Sequence, residues 1–266
     1  MAKRRKRIRI KSAADIEGMR VAGALASQIL CEMAAAVVPG VTTRELDELA
    51  AARMKESGSK SAFLGYRGFP GYTCLSVNEE VVHGIGGPRV LQMGDIIKID
   101  VGVLKDGWIG DNATTVPVGE VDLTTKRLLA VTEQSLFEAI ALARAGNRLA
   151  DVCGAVEAYV KPQGFTVVRE FVGHGVGREL HEEPQVPNYR PVGKTPILEP
   201  GMVLAIEPMV NAGTASVRIL DDGWTVITAD RKMSAHFEHT VLITEGEAEL
   251  LTARPREATP EILGIL

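Results

Sequence analysis

The sequence predicts an α+β fold built from two related halves, and three observations carry that reading. Along its 266 residues, two helix-like stretches precede a run of strand-like ones, and the same order then returns. A ten-residue pattern occurs twice: residues 91–100 read LQMGDIIKID and residues 198–207 read LEPGMVLAIE. Both fit Leu-x-x-Gly-x-aliphatic-aliphatic-x-Ile-acid, so that Gly94 matches Gly201, Ile99 matches Ile206 and Asp100 matches Glu207. The surroundings of each copy also match. A histidine stands upstream in a glycine-rich turn, His83-Gly84-Ile85-Gly86 or His174-Gly175-Val176-Gly177. Asp-Gly-Trp follows at 106–108 and 222–224, then a second acid (Asp111 or Glu238) and a Thr-Val pair. Carboxylates repeated on apolar strands imply two half-domains facing each other across a shared acidic site.

Taken in order, residues 1–11 (MAKRRKRIRIK) hold seven Lys or Arg and no acid, which predicts a basic, flexible arm. The net charge of −4 therefore divides into this arm and a body at −11. Residues 13–37 have the apolar spacing of an amphipathic helix and close at Pro39-Gly40. Thr42-x-x-Glu45 is a capping box that opens a second helix running to about Ser57-Gly58. From Ala62 to Val118 short alternating runs broken by Gly and Pro predict strands and tight turns. A helical pair returns at 123–145 and 148–162, parted near Gly146, and strands dominate from Phe165 onward. The helices are expected on the outer side of a largely antiparallel, curved sheet. No linker interrupts the chain, which predicts a single domain over 12–252, while Pro255 and Pro260 mark 253–266 as a surface tail.

Composition narrows the class. A hydrophobic fraction of 45% and a charged fraction of 24% are those of a soluble globular protein. No apolar run approaches the roughly 18 residues that span a membrane. The basic start leads into Ser12-Ala-Ala-Asp15 and not an apolar stretch, unlike a secretory signal. Cys31, Cys74 and Cys153 lack CxxC spacing, against a disulfide framework or zinc finger and for a reducing, cytoplasmic setting. Cys31 and Cys153 read as buried fillers of helices.

The acids carry the chemistry. Asp100 and Glu207 each end an aliphatic run of the kind that fills a sheet interior. Burying an ionised carboxylate there costs several kcal/mol unless a cation or hydrogen bonds compensate. Four such groups together add like-charge repulsion. One or two divalent cations resolve the conflict. Four oxygen ligands, one imidazole and no thiolate suit Mn, Fe(II), Co or Zn in a two-metal hydrolytic centre. His236 and His239 flank Glu238; alternation puts His236 on the face of Glu238 and His239 on the other. Both read as structural, His239 through a backbone hydrogen bond.

Together, His83-Gly-Ile, Lys98-Ile-Asp100-Val-Gly, Gly110-Asp111-Asn-Ala, Gly173-His174-Gly-Val-Gly, His181-Glu-Glu-Pro-Gln, Ala205-Ile-Glu207-Pro-Met and Phe237-Glu238-His-Thr resemble the type I methionine aminopeptidase family, in order and spacing from about residue 8 to 252. The resemblance implies the pita-bread fold, with two pseudo-twofold halves, and removal of initiator methionine from nascent polypeptides whose second residue is small. It implies two divalent ions: Asp100 chelating one, His174 and Glu207 the other, Asp111 and Glu238 bridging both. His181 would donate to the scissile carbonyl, His83 would contact the peptide nitrogen, and Glu207 would shuttle protons. The methionine pocket would be lined by Phe63, Tyr66, Phe69 and Cys74 and closed by Trp224. A monomer is implied, and the basic arm suggests docking on ribosomal RNA. Leu180 departs from the family pattern, where an aromatic commonly precedes this histidine; Gly86-Gly87-Pro88 departs where proline usually follows the His-Gly-Ile turn directly. The competing readings are a pita-bread peptidase of the Xaa-Pro type and a non-catalytic pita-bread binding module.

Overall fold

The computed structural model describes residues 7–254. The chain opens with two helices, α1 (Ala13–Ala35) and α2 (Thr43–Glu56). Each starts at a reciprocal capping box: Ser12 with Asp15, and Thr42 with Glu45. The Thr42 box is the one legible in the sequence; Ser12-x-x-Asp15 works the same way with a shorter acid. Strands β1 (Lys60–Ser61), β2 (Cys74–Val77), β3 (Glu80–Val82), β4 (Ile96–Lys105) and β5 (Trp108–Pro117) complete the first half. The second half repeats the order, with α3 (Leu123–Leu142) and α4 (Leu149–Val160). There follow β6 (Thr166–Val167), β7 (Gly173–Gly175), β8 (Glu182–Val186), β9 (Val203–Ile206) and β10 (Met209–Asn211). The last are β11 (Val217–Ile219), β12 (Val226–Thr228), β13 (Ser234–His236), β14 (His239–Leu242) and β15 (Glu249–Leu250).

Period-2 alternation decides which way β4 faces. Ile97, Ile99, Val101 and Val103 pack on α1 and α2 with Ile29, Leu30, Met33 and Leu46. The residues between them, Lys98 and Asp100, therefore point to the other face. In the second half Leu204 and Ile206 of β9 pack with α3 and α4 residues such as Leu136 and Val156. Ala205 and Glu207 again take the opposite face. In each copy of the repeat the shared glycine, Gly94 (φ 92°) or Gly201 (φ 85°), sits in the left-handed region that the turn into the strand requires.

The pairing among described residues is antiparallel and divides into four sheets. β1-β4-β2, with β5 on β4, form one; β15-β14-β9-β7-β8 form its counterpart. The smaller β13-β10-β6 and β11-β12-β3 sheets close the ends, and in the latter β3 of the first half pairs with β12 of the second. The halves meet where β5 approaches β14. There Glu238 N–H donates to Ala113 O (2.9 Å), and Thr240 Oγ1 accepts from Asp111 N–H (3.2 Å) and donates to Asp111 O (2.7 Å). A second brace is Lys98, 1% exposed, whose ammonium donates to Asn78 O (2.6 Å) and Ser234 O (3.0 Å), one carbonyl from each half.

Three expectations need correction. The basic arm is anchored at its end: Lys11 is buried, its N–H donates to Gly201 O and its ammonium pairs with Glu182 at 2.8 Å, while Arg9 reaches Glu179 at 3.1 Å. Residues 1–6 lie outside the described residues. Residues 253 and 254 of the expected tail are tied to the body: Ser27 Oγ donates to Ala253 O, and Arg254 Nη2 donates to Ala113 O (2.6 Å) and Glu238 O (3.0 Å); residues 255–266 lie outside the description. Cys153 is buried as expected, but Cys31 is only half-buried.

Candidate metal centre

The four carboxylates converge at the seam between the halves. β4 presents Asp100 opposite Ala113 of β5, and Asp111 stands opposite Gly102, two positions along the same face. In the second half, extending the His239↔Ile206 register by one residue sets Glu238 opposite Glu207. The chemical repeat is thus out of step with the ladder by two residues, which preserves the face and alters the spacing. Side-chain oxygens of Asp111 and Glu238 and a ring nitrogen of His174 lie within 4.8 Å of one another. His174 Nε2 is 3.8 Å from Asp111 Oδ2 and 3.5 Å from Glu207 Oε1.

His174 is held by strand geometry. A Cβ at position 173 would meet Ala205 O at 2.4 Å and one at 175 would meet Glu183 O at 2.2 Å, so only glycines let β7 lie this close to β8 and β9. His174 Nδ1 contacts Gly175 O at 3.0 Å. If Nδ1 carries the proton for that carbonyl, Nε2 is left as a lone pair toward the acids. The sequence expectation that His83 and His174 occupy equivalent turns is not met. His174 opposes Ala205 in the ladder as Ser76 opposes Lys98, so Ser76 is its counterpart. His83 (φ 61°) lies beyond β3, and the Gly-rich turns match only in letters. The two Asp-Gly-Trp runs are both hairpin turns, but Trp108 is buried in the core whereas Trp224 lines the cavity.

The electrostatics are those of a charge-starved site. Burial, then repulsion from Asp111, raises Asp100 well above the usual carboxylate range. Burial pushes Asp111 up to about 7. Glu207 and Glu238 are raised well above their usual value by burial and then by their acidic neighbours. Asp100 Oδ1, Asp111 Oδ1 and Glu238 Oε1 are buried without a hydrogen-bond partner. Desolvation lowers His174 to about 3 and His83 to about 4, so both are neutral near pH 7. Orphaned carboxylate oxygens facing a neutral imidazole fit a divalent cation of the hard, first-row kind.

All the candidate metal, catalytic and pocket residues named from the sequence border one cavity of about 270 Å³. The acids and His174 form its floor. Phe63, Tyr66, Phe69, Cys74 and Trp224 form an apolar wall, with Phe69 and Trp224 packed edge to face at 5.1 Å. Cys74 stands opposite Asp100 in the ladder, and burial followed by that carboxylate raises its thiol well above its usual value. His83 packs against Phe171 (5.4 Å) and Trp224 (6.3 Å). His181 lies against His174 at 4.3 Å, and its Nδ1 is 2.8 Å from Tyr66 Oη. The residue is partly open to solvent, yet desolvation, then Arg67, lowers it to about 4. Leu180, the departure from the family pattern, is a buried wall residue.

Sequence reasoning missed several members. Phe171 and Met209 border the cavity and carry no sequence signal, whereas His236 does: strand alternation had already put it on the face of Glu238. It is 2% exposed, and its Nε2 is 3.8 Å from Glu207 Oε2. His239, expected on a backbone group, meets Thr252 through both backbone and side chain, with Nδ1 2.9 Å from Thr252 Oγ1.

The profile of metallopeptidase family M24 matches residues 17–245. The chain is 50% identical over 242 residues to methionine aminopeptidase 1 of Bacillus subtilis, covering 91% of this chain and 98% of that one. It is 44% identical over 258 residues to the methionine aminopeptidase of Escherichia coli K12, covering 96% and 98%. Among solved structures, the methionine aminopeptidase of Thermotoga maritima superposes with a TM-score of 0.91 at 46% identity, covering 93% of this chain and all of that one. The prolidase of Pyrococcus furiosus superposes at 0.75 with 24% identity, over 93% of this chain and 66% of its own, a likeness of fold. The fold is accordingly the pita-bread fold.

The raised carboxylates make stability depend on pH in a definite sense. Asp111, moved from 3.8 to about 7, binds more protons folded than unfolded. Its stabilisation is complete below about pH 4 and lost as pH rises toward 7. Melting temperatures of chelator-treated and Mn-loaded protein should diverge more at pH 7.5 than at pH 5. A separation independent of pH would speak against carboxylates competing between proton and metal.

Proposed function

The chain belongs to metallopeptidase family M24, and from that premise we propose that it hydrolyses the N-terminal methionine from nascent proteins and peptides, preferring a small second residue. One observation carries the reading: desolvated, unpartnered carboxylates and a neutral imidazole form the floor of a cavity whose wall is apolar. Its volume is below the ~300–1,000 Å³ of many ligand clefts, which suits one side chain and not an extended segment. Phe63, Tyr66, Phe69, Cys74 and Trp224 would hold the methionine, sulfur being at home among aromatic rings.

Asp100, Asp111, His174, Glu207 and Glu238 would hold two divalent ions of the Co, Mn, Fe(II) or Zn group. Asp100 would serve one, His174 and Glu207 the other, and Asp111 and Glu238 both. Bound there, the metal supplies Lewis acidity, activation of water and the positive charge that the acids lack. Glu207 would take and return the proton. With Tyr66 O–H donating to Nδ1, His181 would keep its proton on Nε2 for the carbonyl oxygen of the scissile bond. Donors of that kind are worth a few kcal/mol once negative charge develops on that oxygen. His83, desolvated and neutral, would contact the peptide nitrogen.

The family also contains Xaa-Pro peptidases, and turnover separates the readings. Met-Ala-Ser should be cleaved and a Xaa-Pro peptide left intact, with Asp100→Ala and Glu238→Ala each losing at least about 10³ in kcat; preferential Xaa-Pro cleavage, or turnover surviving in either variant, rejects the assignment. Tyr66→Phe removes the partner of His181 Nδ1 and should lower kcat about 10-fold with little change in KM. A change confined to KM would make Tyr66 a pocket wall and nothing more.

The setting is proposed to be cytoplasmic and the protein a monomer. No helix among the described residues is long and apolar enough to cross a membrane. The basic residues 3–7 are proposed to dock on ribosomal RNA by charge alone. Removing residues 2–6 should weaken ribosome cosedimentation at low salt and leave tripeptide hydrolysis intact; unchanged cosedimentation refutes the docking.

A further inference from the structure

His236 is the one imidazole in the cavity floor to which the metal assignment gives no task. Its backbone is fixed across the seam: His236 N–H donates to Thr115 Oγ1 (2.9 Å), and that hydroxyl donates to His236 O (2.7 Å). The β10–β13 ladder sets it opposite Met209, which borders the same cavity as Glu207. Its ring is buried, and neither Nδ1 nor Nε2 has a hydrogen-bond partner. A neutral imidazole has one N–H and one lone pair, and leaving both unmet in a dry site is costly. The acidic group aligned with it is Glu207, whose Oε2 lies 3.8 Å from Nε2 while its Oε1 lies 3.5 Å from His174 Nε2. Glu207 is thus bracketed by two imidazoles, one on each oxygen.

We infer that His236 is a positioning residue for Glu207: its Nε2–H donates to Oε2 and fixes the carboxylate plane so that Oε1 faces His174 and the other acids. The separation of 3.8 Å is longer than a hydrogen bond, and a sub-ångström turn of the Glu207 carboxylate closes it. An ionised carboxylate only accepts, so the imidazole proton belongs on Nε2. Such outer partners orient a ligand, and losing one typically costs about 10–100-fold in metal affinity or activity. The inference rests on the metallopeptidase reading for its consequence, but the hydrogen bond itself does not.

Two measurements test it. In metal-free protein at a pH high enough to ionise Glu207, ¹⁵N spectra of the His236 ring should show the Nε2–H tautomer, with a signal that moves in Glu207→Gln; the Nδ1–H tautomer overturns the inference whether or not metal binds. On metal addition, calorimetry should give His236→Ala an affinity for Mn about 10–100-fold weaker than wild type. His236→Gln, which keeps a donor, should recover most of it. In Co(II)-loaded protein the visible absorption of His236→Gln should match wild type; an altered spectrum would make His236 a ligand and overturn the positioning role. Equal affinity in His236→Ala, or equal loss in both variants with folding intact by circular dichroism, also overturns it. Failure of wild type to bind Mn defeats the metallopeptidase reading, and the tautomer still decides the hydrogen bond.

Discussion

Mutual repulsion among Asp100, Asp111, Glu207 and Glu238 is the constraint around which the molecule is organised. Each is desolvated, each is pushed toward protonation, and three of their oxygens have no hydrogen-bond partner. A chain left to relax would separate them. They stay together because each half commits its aliphatic face to its own helices, which turns the acids of both halves toward one seam. The energy that holds unlike demands together comes from the two apolar cores, and the seam stores the frustration that a cation relieves.

The seam itself is fastened by polar groups that balance one another. Thr240 and Thr115 each exchange hydrogen bonds with backbone of the opposite half. Lys98 takes one carbonyl from either side, and burial lowers its ammonium to about 7. Within the cavity the histidines are neutral for want of solvent, which leaves lone pairs and single N–H groups as their working parts. Which nitrogen carries the proton is then set by the neighbour: Gly175 O for His174, Tyr66 Oη for His181 and Glu207 for His236.

Much of this could be read from the letters, for identifiable reasons. The capping box at Thr42, the helix pairs and the repeated Gly-x-aliphatic-aliphatic-x-Ile-acid strands are local patterns, and local patterns survive folding. The acids were legible because an acid ending an aliphatic run contradicts its surroundings. What failed was register. His83 and His174 share a tripeptide but not a place in the ladder, and Asp111 and Glu238 differ by two rungs, because hydrogen-bond pairing is set between strands far apart in sequence. The pairing of β3 with β12 and the hydrogen bonds of Arg254 were invisible for the same reason. His236 lay between: alternation placed it correctly, but a histidine beside an acid states no role until its missing partners are counted.

Arg254 ties the acidic floor to a stretch of chain far from its first two acids. Its guanidinium clasps the carbonyls of Ala113 and Glu238 from behind, joining β5, the end of the last strands and itself across a span of 141 residues. Asp100 and Asp111 come with β4 and β5, whereas Glu238 and Arg254 belong to the second half. Neither half alone therefore holds the full set of acids: a copy cut before Glu238 keeps Asp100 and Asp111 and lacks the partners that complete the floor.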